Sequence, residues 1–205
     1  MPPRTVSAMS EETERRLEEA RARASQAGAQ VEGRKREFLD TIASDIPARI
    51  EKLAKGTAHA QPDVSKALGK DGLRKLRDEL RDQAMELATE VRGSTDKIKW
   101  PKPQSEFSSV SSRHLHSALF DFLYPRCRSL AAIFKRYGFN VHDDNAQHAQ
   151  GLVTPQSHLY SETEQAAQFT ALAEALNVLA EQERALAKAQ VAYDRDVVDS
   201  LWEDD

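Results

Sequence analysis

The stretch from Phe169 to Val197 constrains this chain more than any other. Residues recur there by strict threes and fours: Phe169, Leu172, Leu176, Leu179, Glu183, Leu186, Gln190, Tyr193 and Val197. That period belongs to an α-helix with one apolar stripe. Ser161 and Glu164 stand three apart in Ser-Glu-Thr-Glu, the spacing of a capping box, and set the expected start. Unbroken to Trp202, such a helix runs for about 60 Å. It cannot bury its stripe alone, so partners are required. Flanking alanines (Ala173, Ala175, Ala180, Ala187, Ala189) permit close approach. Glu183 and Gln190 occupy seam positions, where polar residues cost stability but fix register and partner number.

A second feature is the ring-rich centre. Eight of the thirteen aromatic residues lie between Trp100 and Phe139, so the best-packed core is expected there, Phe107 included. Pro125 divides this centre into two helices. Ser111 or Ser112 caps the first, which carries Leu115, Leu119, Phe122 and Leu123 on one face. The second carries Leu130, Ile133, Phe134 and Tyr137. Its stop signal is Lys135 and Arg136, then Gly138 in the left-handed cap position, with Phe139 folding back on Phe134.

Upstream, Ser10 caps a helix with an acidic first turn. Leu17, Ala20, Ala24, Ala27 and Val31 form a thin alanine-dominated seam that thickens through Phe38, Leu39, Ile42, Ile46, Ile50 and Leu53. Pro47 predicts a kink and Gly56 an end. Residues 58–72, holding Pro62, Gly69 and Gly72, predict a loop with at most one helical turn. Asp71 then caps a helix with Leu73, Leu76, Leu80, Ala84, Leu87 and Val91 in heptad spacing, closed by Gly93. The aperiodic Ser94–Ser109 stretch, with Trp-Pro-Lys-Pro inside it, predicts an extended linker lying over the bundle.

The expected architecture is all-α, an elongated helical bundle with long coiled-coil-like arms. Its parts are a flexible N-terminus (1–9), N-terminal helices (10–93), a linker (94–110), a central aromatic pair (111–139), a loop (140–160) and a long C-terminal helix with an acidic tail (161–205). Composition agrees: 30% charged residues, 6% aromatic, and eight each of glycine and proline favour extended helices over a sheet-rich globule. A single cysteine excludes an internal disulfide and suits a reducing compartment. No apolar leader and no apolar run of membrane-crossing length is present, so the expectation is a soluble, cytoplasmic protein. Charge is uneven: residues 100–139 carry six basic against two acidic side chains, residues 140–205 three against thirteen. The opposite signs predict that the centre and the C-terminal helix attract one another.

Motifs for chemistry are sparse. Cys127 lies between Arg126 and Arg128, which would lower a thiol pKa, but Ile133 stands where a phosphatase-type loop needs its arginine. The more economical reading is a partly buried structural thiol. His142, Asp143, Asp144, His148 and His158 match no metal-ligand spacing. A phosphate-binding Gly-rich loop, His-Glu-x-x-His and Gly-x-Ser-x-Gly are all absent. The expectation is therefore a non-enzymatic protein–protein interaction or scaffold subunit without cofactor or metal, meeting a protein partner or itself as a homo-oligomer. Its candidate interaction residues are Phe169, Leu172, Leu176, Leu179, Leu186, Tyr193, Leu201 and Trp202. The seam is expected to pair antiparallel with the Leu17–Leu53 arm or with its own copy, and Leu176 and Leu179 changed to Asp to abolish assembly. Leu201 and Trp202, beside Glu203, Asp204 and Asp205, form either a short docking tip or a cap on the bundle end. The alternative is a nucleic-acid-associated factor using Arg113, Arg126, Arg128, Lys135 and Arg136 interleaved with Tyr124, Phe134 and Tyr137.

Overall fold

The computed structural model describes residues 6–141 and 164–203, and every described element is helical. The elements are α1 (Val6–Ala60), α2 (Pro62–Arg92), α3 (Ser112–Leu123), a 3-10 turn (Tyr124–Cys127), α4 (Arg128–Arg136) and α5 (Glu164–Glu203). The class is all-α, as the periodicities require. The flexible tail, the 140–160 loop, the Ser161 cap and the His142–His158 group fall largely or wholly outside the described residues.

α1 is longer and simpler than its sequence suggests. It begins at Val6, so Ser10 lies within it and does not cap it, and it runs through Pro47 and Gly56 to Ala60. A helix-interior proline costs about 3 kcal/mol. Ile42, Ile46 and Ile50 flank Pro47 and are fully buried. Each such side chain returns about 1.5–3 kcal/mol on burial, so the packed face holds the helix across the missing hydrogen bond.

The expected 58–72 loop contracts to one corner. Gln61 (φ −128°, ψ 69°) breaks the helix and Pro62 starts α2 immediately, where its absent N–H is not needed. Only Gly69 departs from helical geometry (φ 62°, ψ −173°). Asp71 lies beyond this break, paired at 3.2 Å with Arg74. Leu76, Leu80, Ala84, Leu87 and Val91 then form the buried face of α2, as their spacing predicts. α2 returns antiparallel along α1, where Arg92 meets Asp40 at 2.7 Å and Ser44 at 3.1 Å.

α3 and α4 flank the 3-10 turn that contains Pro125, so the proline separates them as expected. α3 starts with a capping box in which the Ser111 N–H donates to His114 Nδ1 (3.0 Å). α4 ends in a Schellman motif. The Phe139 N–H donates to the Phe134 carbonyl (3.1 Å) and the Gly138 N–H to that of Lys135 (2.9 Å). Gly138 sits at φ 84°, and the Phe134 and Phe139 rings meet edge to face at 6.2 Å. Asn140 continues into a two-way clamp with the first corner. Its N–H donates to Gln61 Oε1 (2.8 Å), and Gln61 Nε2 donates to its carbonyl (2.9 Å).

The core does not follow the aromatic-rich stretch alone. Phe122, Phe134 and Phe139 are buried, but Phe107 is exposed and Tyr124 lies at the surface. The tightest ring contacts instead centre on Phe169 of α5, which meets Phe38 of α1 edge to face at 4.7 Å. His116 of α3 stacks on Phe169 at 3.9 Å, and Trp100 meets Phe38 at 6.0 Å. The 94–111 segment contributes to this core. Ile98 and Val110 are buried in it, and Trp100 Nε1 donates to the Thr95 carbonyl at 2.7 Å.

Candidate functional site

α5 runs antiparallel to α1: Phe169 lies on Phe38, and twenty-one residues later Gln190 Oε1 accepts from Arg21 at 3.0 Å. The seam expected from the sequence is thus occupied within the chain. Phe169, Leu172 and Leu176 are buried, while Leu179, Leu186 and Tyr193 are only partly covered. The seam also slips. Glu183, at a predicted core position, faces solvent, while Gln190 does face α1. Leu201 and Trp202 are 67% and 78% exposed, so Trp202 does not cap the bundle end.

A different face of α5 emerges as the distinctive one. Asn177, Arg184, Val191 and Val198 are spaced by seven and share one side of the helix. The first two hold the 94–111 segment against it. Asn177 makes a two-way amide bond with the backbone of Val110 (2.7 and 2.9 Å), and Arg184 donates to the Ser105 carbonyl at 3.0 Å. The next two hold nothing: Val191 is 60% and Val198 50% exposed. Trp202, four residues past Val198, extends the same side.

Phe107 stands where the covered part of this face ends, two residues from the Arg184 anchor, and is 93% exposed. Its turn is held by hydroxyls. Ser108 Oγ accepts from the Ser105 N–H (2.8 Å) and donates to the Ser105 carbonyl (3.1 Å), while the Phe107 N–H donates to Ser105 Oγ (3.3 Å). Exposed apolar side chains thus stand at the end of the covered stretch (Phe107) and along the uncovered part of α5 (Val191, Val198, Leu201 and Trp202). Isolated exposed apolar residues need no explanation, whereas several along one helix face make it a candidate docking surface. The sequence singles out Leu201 and Trp202, which are exposed; it does not single out Val191 and Val198, and it places Phe107 in the core, where the structure exposes it. The available signal was the heptad Asn177–Arg184–Val191–Val198, polar then apolar.

The basic set is engaged elsewhere than expected. Arg126 pairs with Glu90 at 2.7 Å and lies 3.7 Å above the Phe122 ring, and Arg136 pairs with Glu79 at 3.2 Å. The carboxylates that meet these two arginines belong to α2, not to the acidic C-terminal helix. Tyr137 also donates to Glu79 (2.7 Å), and that hydrogen bond holds its phenol above the usual range. Arg113, Arg128 and Lys135 are exposed, but Phe134 is buried and offers no stacking face.

Cys127 is fully buried, and burial pushes its thiol up to about 12. Desolvation therefore overrides the neighbouring arginines, the reverse of the direction their charges suggest. An open cavity of about 350 Å³ lies beside the Phe107 turn, lined by Pro101, Pro103, Val110 and His114 among others. The Nδ1 atom of His114 is already committed to the Ser111 cap. Among the described residues no three His, Cys, Asp or Glu side chains gather as metal ligands, and no helix is long and apolar enough to cross a membrane. No protein-family model, curated protein or solved structure matches this chain.

Proposed function

We propose that this chain is a non-enzymatic helical interaction protein, a scaffold or adaptor subunit, that associates through the outer face of α5. The predicted seam from Phe169 to Leu176 is spent on the chain's own core. Docking therefore falls to the surface of Phe107, Val191, Val198, Leu201 and Trp202. One observation carries this reading: a single heptad face is covered at Asn177 and Arg184 and bare at Val191 and Val198. Aromatic anchors flanked by smaller apolar side chains are the composition of binding hot spots. The ion pairs of Arg126 and Arg136 with α2 draw cations away from the nucleic-acid alternative.

The test compares the native chain with a Val198→Glu, Trp202→Ala variant, measuring both mass in solution and proteins co-purified from the native source. Association of either kind should be lost in the variant while helicity is unchanged. An unaltered set of associations, or none in either chain, overturns the reading.

A further inference from the structure

We infer that the occupant of this face is an acidic amphipathic helix of another protein, which lays its apolar seam along the outer stripe of α5 and its carboxylates on Lys188 and Arg195. The inference rests on the docking reading above and names the chemistry of the partner.

The outer stripe runs along α5 in steps of four and three: Arg184, Lys188, Val191, Arg195, Val198 and Trp202. Leu186, Gln190, Tyr193 and Val197, each partly covered, take the other side, where Gln190 meets Arg21 of α1. α5 carries eight acidic side chains and three cations, and all three cations stand on this one stripe. A merely solvated helix has no reason to sort its charges so.

Ion pairing sets the stripe apart from the rest of the molecule. α1 neutralises cations along its own length, pairing Arg16 with Glu12, Arg23 with Glu19, Lys35 with Glu32 and Lys55 with Glu51. Lys188 has no such choice. Its neighbours at spacings of three and four are Arg184, Ala185, Val191 and Ala192, none of them acidic. Arg184 is a like charge at that spacing, an arrangement that weakens a helix. Lys188 and Arg195 are exposed, and neither forms an ion pair among the described residues.

The flanks set the width and sign of what can lie there. Ala185, Ala187 and Ala192 border Lys188 on both sides, all exposed, and such small residues admit a second helix at close range. Lysine and arginine in a helix seam lay their stems on the apolar contact and send their charge to the partner's edge positions. Carboxylates at those edges are the complement. Val191, Val198 and Trp202, each half or more exposed, supply the apolar contact with the indole as anchor. Further along, Asp194 and Asp199 stand exposed on opposite sides of Arg195, and Asp194 accepts from Gln190 Nε2 at 2.8 Å. A nucleic-acid backbone or an anionic membrane is a broad field of charge and would meet both aspartates. A single helix, about 10–12 Å across, sets its acids against the cations and leaves the aspartates to solvent.

The experiment uses the full chain and two synthetic probes. Each is a three-heptad peptide with leucine at its a and d positions; one carries glutamate at e and g, the other lysine, and like charge keeps each from pairing with itself. Fluorescence anisotropy at low salt should show the glutamate probe bound about fivefold more tightly than the lysine probe, although the chain as a whole is acidic. Added salt should shrink the preference. The Lys188→Glu, Arg195→Glu variant should reverse it, with circular dichroism unchanged. Equal binding of the two probes, a native preference for lysine, or a preference untouched by the charge reversal overturns the assignment. Tighter binding to a single-stranded oligonucleotide or to anionic vesicles overturns it too, as does a doubled mass that the same charge reversal abolishes. Failure here is separable from failure of the docking reading. If the Val198→Glu, Trp202→Ala variant loses a native association while the probes do not discriminate, the face stands and the acidic helix falls; if neither effect is seen, both fall.

Discussion

Between Phe169 and Leu176, α5 lies against α1, α3 and the 94–111 segment, and its apolar side chains are sealed from water. Between Val191 and Trp202 the same helix runs along α1, and half or more of each of Val191, Val198, Leu201 and Trp202 remains wet. The heptad period is common to both regions. What differs is the number of neighbours, since burial of a helix face depends on how many elements surround it. Periodicity shows which sides of a helix are apolar; it does not show which sides the rest of the chain can reach.

The most severe way to break this comparison is truncation at one ring from each region. Phe169→Ala should cost about 3–5 kcal/mol, the range for emptying a well-packed aromatic site, and Trp202→Ala less than about 0.5 kcal/mol in the single chain. Chemical denaturation measures both, and equal losses would erase the distinction.

A second measurement probes the sealed region by pH. The Cys127 thiol is raised from 9.0 to about 12 by burial, so the folded state retains a proton that the unfolded state releases. Its contribution is full below about pH 9 and is lost as pH climbs toward 12, worth up to about 4 kcal/mol. Cys127→Ala should flatten that alkaline decline, and an unchanged slope would mean the thiol is not sealed. Gly138→Ala should cost roughly 1–2 kcal/mol, because φ 84° lies in the left-handed region. Urea titration reads this loss. At the low end, Arg23→Ala removes only an exposed pair with Glu19 on the outer part of α1 and should change stability by less than about 0.5 kcal/mol. Any larger loss there would mean that the outer region is more tightly held than its exposure implies.

Features fixed by consecutive residues were legible in advance. The ending of α4 is spelled by Lys135, Arg136, Gly138 and Phe139 within one turn, and each does locally what its chemistry dictates. The faces of α2 and α3 followed from spacing for the same reason. Pro47, Gly56 and the 58–72 stretch were misread because residue preferences of a few kcal/mol or less yield to a packed isoleucine face and to a proline placed where a helix begins. Phe107 was misread because a ring usually seeks the interior, whereas here three hydroxyl-mediated bonds hold its turn outward. The bare face of α5 was half legible. Its tip stood out as an apolar ending, but Val191 and Val198 acquired meaning only once Asn177 and Arg184 were seen grasping a distant segment.

That grasp makes the span between Trp100 and Val110 a ruler. Its anchors at Asn177 and Arg184 set how far along the rod the shroud extends, and the next two rungs begin where it stops. A version of the molecule with a slightly longer tether would drape Val191 as well. The length of this segment thus sets how much of the helix is left bare without altering a residue of the helix it covers.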